Sequence, residues 1–589
     1  MKEKKIRTSL FLAVFLTIIA GFALQGCKSE APVDLQTKTL DSAAVMELAT
    51  SIEQTVKPEL ADGLTLSLWG VDSLVISPIA IDVDDLGRVF FTTTDRQNNS
   101  EFDIRGHQDW EIPSISLQTV EDRRAFLRKE LAPENSARNE WLADLNEDGS
   151  HDWRDLTVER EKVYRLDDAL GIGRATRSQL VVDDFHEEIT DVAGGVFADG
   201  DDLYVAVAPD LWRMTDKNKD GYYEHKESVS HGYGVHIGFS GHGMSGVKYG
   251  PDGRLYWQIG DIGFDGNPNS GVIVRANPDG TDFEIFAHGL RNTHQFVFDE
   301  YGNIISEDND GDHPGEKERL VYVVNGSDAG WRSNWQYGKY RDPANNPYKV
   351  WMDERMYLPR FDGQAAYITP CIANFVSGPA GVVYNPGTAL SPAYKNTFFV
   401  AEFVGNPAQS GIHSFKLRPK GATFELGDHK KVVGGILATG LDFGPDGALY
   451  VGDWIDGWGT HSYGRIWKLD ADGAGSPVRE EVQSLLAADF RKMKPEELGQ
   501  LLSHEDMRVR QKAQFALAKR NKKGLRVFRE VLEQQGHQLA RIHAIWGISQ
   551  LARQEDSAYA GHLIPVLNDA DAEGRARAAQ WLGEVRSAP

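Results

Sequence analysis

Cysteine is all but missing from this chain: Cys27 and Cys371 are the only two. That scarcity excludes a disulfide framework and a thiolate-held metal centre within one chain, and no CxxCH haem-attachment motif occurs. Long apolar runs are scarce too. The one that stands out, Leu10 to Leu24, is too short to span a bilayer comfortably. Basic residues are outnumbered, 63 Lys and Arg against 87 Asp and Glu, for a net charge of −24. A surface this acidic repels phosphate backbones and favours cations, so nucleic acid is not an expected partner.

What is present begins at the amino end. Lys2, Lys4, Lys5 and Arg7 precede the apolar run, which closes on Leu24-Gln25-Gly26-Cys27. This is the form of a bacterial lipoprotein signal, so residues 1–26 are expected to be removed and Cys27 lipidated. Acyl chains contribute about 0.8 kcal/mol per buried methylene, enough together for stable anchoring. The expected location is the cell envelope, tethered to a membrane through the lipid, and Lys28 at the next position points to the outer membrane, periplasmic or surface-exposed. Residues 27–59 read as a polar tether.

Between 60 and 475 one unit recurs: an apolar stretch, a turn of type D-x-x-G or G-P-D-G, then an alternating strand. Its copies are IAIDVDDLGRVFF (79–91), VFADGDDLYVAV (196–207), VKYGPDGRLYWQIG (247–260), FVFDEYGNIISED (296–308), VVYNPG with NTFFVAEF (382–403) and LDFGPDGALYVGDW (441–454). The regular copies repeat about every 50 residues, the length of a four-stranded blade. Six copies predict an all-β six-bladed β-propeller, and LTLSLW (64–69) is placed to close the ring by pairing with the last blade. Gly87 and Gly200 lie 113 residues apart, so an insertion at about 100–190 separates the first two blades.

The insertion contains DLNEDGSHDWRD (144–155). Asp144, Asn146, Asp148, Ser150, Asp152 and Asp155 fall at the ligand positions of a twelve-residue calcium loop, with Gly149 at the sharp turn. The flanks SARNEWLADL and LTVEREKVYRL read as helical, which predicts a helix–loop–helix. A second loop, DKNKDGYYEHKE (216–227), offers Asp216, Asn218, Asp220, the Tyr222 carbonyl, Glu224 and Glu227, and follows a strand. The alternative for both loops is an acidic solvated turn.

GHGMSGVKYGPDGRLYWQIGDIG (241–263) and GLRNTH (289–294) are loop-ending motifs on strand-like runs. They bring His242, Asp261, Arg291, Asn292 and His294 toward one mouth of the repeat fold. The pattern resembles the soluble quinoprotein glucose/sorbosone dehydrogenase family, and within it a branch labelled membrane-bound dehydrogenases. The resemblance implies that His242 takes the hydroxyl proton of the substrate, that Asp261 steadies His242, and that Arg291 and Asn292 hold pyrroloquinoline quinone. It also implies that the acidic loop EDNDGDHPGEKE (307–318) helps hold a calcium at the quinone, through Asp308, Asp310 and Asp312. Three departures stand out: His294 replaces a Gln of the family, and EFVGNP (402–407) and ATGLD (438–442) lack the family's basic residues.

Beyond 480 the composition shifts to Ala, Leu, Arg and Glu with helical spacing. LGQLLSHEDMRVRQKAQFALAKR (498–520) looks like a HEAT-type helix pair, and partial copies at 540–553 and 574–585 extend it into an all-α HEAT-like solenoid segment, expected to be separable and truncated. Larger relatives with this order continue into a cytochrome, which makes an electron-accepting cytochrome or another partner protein on the helices an expectation. The reading is a calcium-dependent, membrane-anchored oxidoreductase acting on a sugar or other polyol. A non-catalytic propeller binding glycans or a partner and a metal-dependent lactonase-like hydrolase stand as alternatives.

Overall fold

The computed structural model describes residues 36–585 except 98, 310–316, 333–359, 365–367, 474 and 535. Six antiparallel sheets form a ring, one for each sequence copy. Blade 1 comprises Ile81–Val83, Val89–Thr93, Glu161–Asp167 and Arg177–Asp184; blade 2 comprises Gly195–Asp199, Asp202–Val207, Asp210–Thr215 and His225–His231. Blade 3 is Met244–Tyr249, Leu255–Ile259, Gly271–Ala276 and Glu284–Leu290, with Ser327–Asp328 added in parallel at its edge. Blade 4 is Phe296–Phe298, Ile304–Asp308, Arg319–Val323 and Ala373–Asn374. Blade 5 is Pro379–Tyr384, Phe398–Glu402, Gly411–Lys420 and Thr423–Gly434. Blade 6 is Ala438–Phe443, Leu449–Asp453 and Arg465–Ala471, completed by Leu64–Gly70 from the amino end, as the segment LTLSLW predicts.

Each sequence copy supplies the two inner strands of its blade. The second strand is packed on both faces, which is why LYWQI, FFVAE and LYVGD are buried throughout. Between the two strands the turn needs one residue with positive φ, and Gly87, Gly200, Gly253, Gly302 and Gly447 supply it at 65–79°. Inner strands approach one another closely around the axis: Cβ atoms on Gly195, Gly246, Gly381 and Gly440 would press on Ser245, Phe296, Leu441 and Ile81 of the neighbouring blades.

The span 27–59 differs from the tether expected of it. From residue 36 onward it is docked: Lys38–Thr39 extends blade 1, Glu59–Leu60 extends blade 5, and helix α1 (Ser42–Thr55) lies between them. Val45 and Ala49 of α1 enter the apolar core shared by blades 1, 5 and 6, and Glu53 accepts from the Leu68 amide at 2.8 Å. The pattern was hidden because only two of the fourteen positions of α1 are buried.

The insertion carries α2 (Glu111–Ser116) and α3 (Val120–Glu130). The helix–loop–helix predicted around residues 144–155 does not form. A single-turn 3-10 element (Asp155–Thr157) ends the loop, and the chain then enters blade 1 at Glu161, because LTVEREKVYRL is spent on a strand.

After blade 6 come α4 (Pro477–Leu486), α5 (Pro495–Leu501), α6 (Met507–Ala518), α7 (Lys522–Glu533), α8 (Gln538–Gln554) and α9 (Ala572–Glu584). They have an apolar core of their own around Leu498, Leu517, Phe528, Ile545 and Trp581. They are not a free arm. Amide, guanidinium and carboxamide donors reach backbone carbonyls in the inner turns of blades 3, 5 and 6: Gln514 to Pro251 at 2.7 Å, Met507 to Pro386 at 2.8 Å, Arg508 to Phe443 and Gly444 at 2.9 Å. The helices thus cover the face of the ring that holds these turns, called the lower face. No helix among the described residues is long and apolar enough to cross a membrane.

Candidate functional site

His242 lies two residues before the first strand of blade 3, Asp261 two residues after the second, and Arg291 directly after the fourth. In an antiparallel blade all three positions lie at the end opposite the inner turn, which is the upper mouth of the ring. Nδ1 of His242 is 3.2 Å from Oδ2 of Asp261. The same carboxylate lies 3.6 Å from Nε of Arg291. Asp261 and Arg291 have fully buried side chains, whereas His242 keeps 14% of its side chain exposed. Asp261 can occupy this position only because residue 238 is glycine: a Cβ there would lie 2.3 Å from Oδ1.

The electrostatics hold the imidazole neutral. Burial, and then the Arg291 charge, depress the His242 pKa below its ordinary value against the pull of Asp261. A neutral ring that donates Nδ1–H to a carboxylate has Nε2 as its proton acceptor. His294 meets His242 edge to face at 6.5 Å and receives a hydrogen bond from Asn292 at 3.1 Å. Burial, His242 and Arg291 push its pKa down to about 3, so it too is neutral. Its backbone, at φ 40°, sits in a region that side-chain-bearing residues seldom adopt and that is enriched at functional sites. The structure therefore brings together all five residues that the two motifs singled out.

Arg291 continues into blade 4. Its amide donates to Oδ1 of Asp308 at 2.7 Å, its Nη1 donates to the Asn309 carbonyl at 3.0 Å, and its guanidinium lies 4.8 Å from the Phe239 ring centre. Oδ2 of Asp308 receives Arg319 at 2.6 Å, and both side chains are fully buried. Asp308 thus differs from the metal ligand expected of it, because both of its oxygens are already engaged by protein donors. Asp310 and Asp312 lie outside the described residues, as does Cys27.

Sequence reasoning missed a pattern that all six copies share. Each carries an acid at or just beyond the end of its second strand: Asp95, Asp210, Asp261, Asp308, Glu402 and Asp453. Glu402 is bound by His413, Lys431 and Lys317, and Asp453 by the Trp467 indole N–H at 2.7 Å. It also missed the wall that the insertion builds beside His242. Glu101 bonds Ser240 and Gly241, and burial with the nearby Asp191 charge pushes its carboxyl up to about 8.

The two twelve-residue loops share one geometry although they sit in different settings. The first carboxylate accepts from the glycine amide, Asp144 from Gly149 at 2.9 Å and Asp216 from Gly221 at 3.0 Å. Asn146 and Asn218 accept two residues on, as do Asp148 and Asp220. Asp152 is fully buried, with Oδ2 lacking a hydrogen-bond partner, and Ser150 Oγ is in the same condition. The last positions depart from expectation. Asp155 turns back on the amides of Leu145, Asn146 and Asp152, and Glu227 lies within blade 2, paired across strands with Arg213. Among the described residues, no group of three or more His, Cys, Asp or Glu is arranged to hold a metal.

Comparison with known proteins adds the following. A family model described as "Domain of unknown function (DUF7133)" matches residues 51–465. Among curated proteins none matches the sequence. Among solved structures, the PQQ-bound aldose sugar dehydrogenase of Streptomyces coelicolor is similar at 14% identity and a TM-score of 0.38, over 70% of this chain and 99% of that one. The PQQ domain of pyranose dehydrogenase from Coprinopsis cinerea is similar at 11% identity and 0.37, over 70% and 97%. A virginiamycin B lyase from Staphylococcus aureus is similar at 10% identity and 0.29, over 69% and 99%. None of these three reaches a TM-score of 0.5, and no residue role is carried over from them.

Proposed function

The chain belongs to the DUF7133 family, and from that premise we propose that it is an oxidoreductase that dehydrogenates a hydroxyl-bearing carbon of a sugar or polyol at the upper mouth of its propeller. The observation that carries this reading is the His242–Asp261 contact at 3.2 Å on an imidazole held neutral. A base of this kind acts on a weak acid such as a hydroxyl when it is unprotonated and fixed in tautomer. In the proposed step Nε2 of His242 takes the O–H proton while the carbon-bound hydrogen leaves with its electron pair to a diffusible two-electron acceptor supplied from outside the chain, such as a redox dye, giving a carbonyl and the reduced acceptor. Asp261 holds Nδ1–H and stabilises the imidazolium that forms.

The oxidant is not assigned to this chain's own residues. A tricarboxylate quinone needs cationic partners. Among the described residues, the cations around this mouth are committed: Arg291 to Asp261 and the Asn309 carbonyl, Arg319 to Asp308, Lys317 to Glu402, Arg105 to Asp103. The donor set fits such a quinone poorly, and no step is routed through one.

Two further elements belong to the proposal. Calcium is proposed at residues 144–155 and 216–227, supported by their shared turn geometry and by the buried, unpartnered Oδ2 of Asp152. Lipid anchoring at Cys27 is proposed from the LQGC motif alone. The test of the reaction is dye-linked oxidation of a panel of sugars and polyols by the full chain, with and without added PQQ and calcium. Turnover is expected with an added acceptor, and His242→Ala should lower it by about 10²–10⁴-fold while leaving the melting curve in place. If the wild-type protein reduces no dye under any of these conditions, and wild type and His242→Ala bind an oligosaccharide equally well, the propeller is a binding module instead.

A further inference from the structure

Residues 234–241, which lead into His242, belong to no strand, yet every backbone polar group buried there needs a partner. The blades supply only part of the set: Gly234 and His236 donate to the Gly263 and Ile262 carbonyls, and Phe239 to Asp261. The rest comes from the insertion, more than a hundred residues earlier in the chain. Arg123 donates to the Gly234 carbonyl at 3.1 Å, and the Ser114 hydroxyl accepts from Ile237 at 3.0 Å. The Ile104 amide donates to Gly238 at 3.0 Å, and Asp103 accepts from the Ser240 amide at 3.1 Å. Nearest the imidazole, Glu101 spans two residues at once, with one oxygen on the Gly241 amide and the other on the Ser240 hydroxyl, each at 2.6 Å. Behind these bonds lies one apolar cluster that joins Leu127, Leu131, Leu142 and Leu156 of the insertion to Val235, Ile237 and Phe239.

We propose that the insertion is a positioning element for the upper-mouth site and that Glu101 is the side chain through which it orients His242. The proposal rests on the reading of His242 as the working base, and it assigns the insertion a role beyond covering the ring. A histidine at the end of an eight-residue strandless segment gains its orientation from whatever fixes the residues just before it. A carboxyl group holding both Ser240 and Gly241 does that from a separate part of the chain rather than from the segment itself. Glu101 makes no contact with the imidazole in the structure's hydrogen bonds, so its effect on turnover passes through the backbone.

Amide hydrogen exchange of the full chain separates this role from general stability. In Glu101→Ala, peptides covering 234–243 should exchange about tenfold or more faster, since the two bonds that hold Ser240 and Gly241 are lost there, while peptides from α6 to α9 keep their rates. Glu101→Gln, which keeps one acceptor oxygen, should fall between the two. With a substrate in hand, kcat should drop in Glu101→Ala with KM nearly unchanged, and Glu101→Gln should recover part of it. Unchanged exchange at 234–243 in a folded Glu101→Ala would overturn the proposal, as would loss of protection spread evenly over the chain. Should Glu101→Ala fail to fold, Ser240→Ala and Glu101→Gln carry the same test, and wild-type rates at 234–243 in both would overturn it. If the wild-type protein turns over nothing, the base reading fails, while the exchange rates still decide whether Glu101 holds the segment.

Discussion

At the lower face, Arg254 and Arg275 gather Asp252, Glu284 and Glu584 into a buried ionic cluster that pins α9 to blade 3; at the upper mouth, Arg291 and Arg319 gather Asp261 and Asp308 between blades 3 and 4. The guanidiniums of both clusters are shielded from solvent, and each face of the ring also carries a histidine. His543, under the ring, uses both ring nitrogens: Nδ1 donates to Gln514 at 2.8 Å and Nε2 accepts from Arg510 at 3.2 Å. His242 commits Nδ1 to Asp261 and keeps part of its side chain exposed. Burial depresses both histidines, yet one is sealed and the other is open to a proton. The same residue types thus make a joint in one place and a candidate site in the other, and the completeness of hydrogen bonding tells them apart.

The comparison breaks most sharply at Arg275. Its guanidinium is 1% exposed and reaches Glu584, Glu284 and the Tyr256 hydroxyl. Arg275→Ala leaves Asp252, Glu284 and Glu584 to share Arg254 alone, an under-compensated charge cluster that should cost about 3 kcal/mol of stability and expose α9 to proteolysis. The upper mouth should not notice: turnover measured well under the melting temperature should stay within about twofold, a change of less than 0.5 kcal/mol in barrier. Activity that collapses in the folded variant would mean that the two faces are coupled.

A smaller effect is expected from calcium. If the two loops bind it in the native state alone, a free concentration one hundred times Kd should add about 2.7 kcal/mol per site and raise the melting temperature, with chelation reversing the shift. Asp144→Asn should reduce the shift more than Asp216→Asn, because the first loop is built into the insertion around buried Asp152, whereas Glu227 of the second is held by Arg213. A melting curve indifferent to excess chelator, with no calcium by elemental analysis, would remove both sites.

The inner hairpins were readable from sequence because all but that of blade 5 are local: two strands, a left-handed glycine and an apolar alternation within about fifteen residues. Ring closure by Leu64–Gly70 was readable for the same reason, since a lone alternating strand ahead of the first copy needs an edge. The site was partly readable. His242, Asp261, Arg291, Asn292 and His294 announce themselves through two short motifs, but the fate of Asp308 depends on Arg319 one strand later, and acidity alone cannot distinguish an ion pair from a metal ligand. The docking of α6 onto the lower face left no trace, because much of it uses backbone carbonyls of Pro251, Pro386, Phe443 and Gly444, which any sequence possesses. The Glu101 contact spans 140 residues, far beyond any periodic signal.

The difference between the two histidines is measurable in one titration. With ring-labelled histidine in the full chain, and signals assigned through His242→Gln, His294→Gln and His543→Gln, chemical shifts followed against pH report each imidazole separately. The account predicts a midpoint for His242 below the ordinary 6.5, one for His294 near 3, and a sugar or polyol that moves the His242 signal while leaving His543 in place. A His242 midpoint at or above 6.5, or a ligand that disturbs His543 and spares His242, would contradict it.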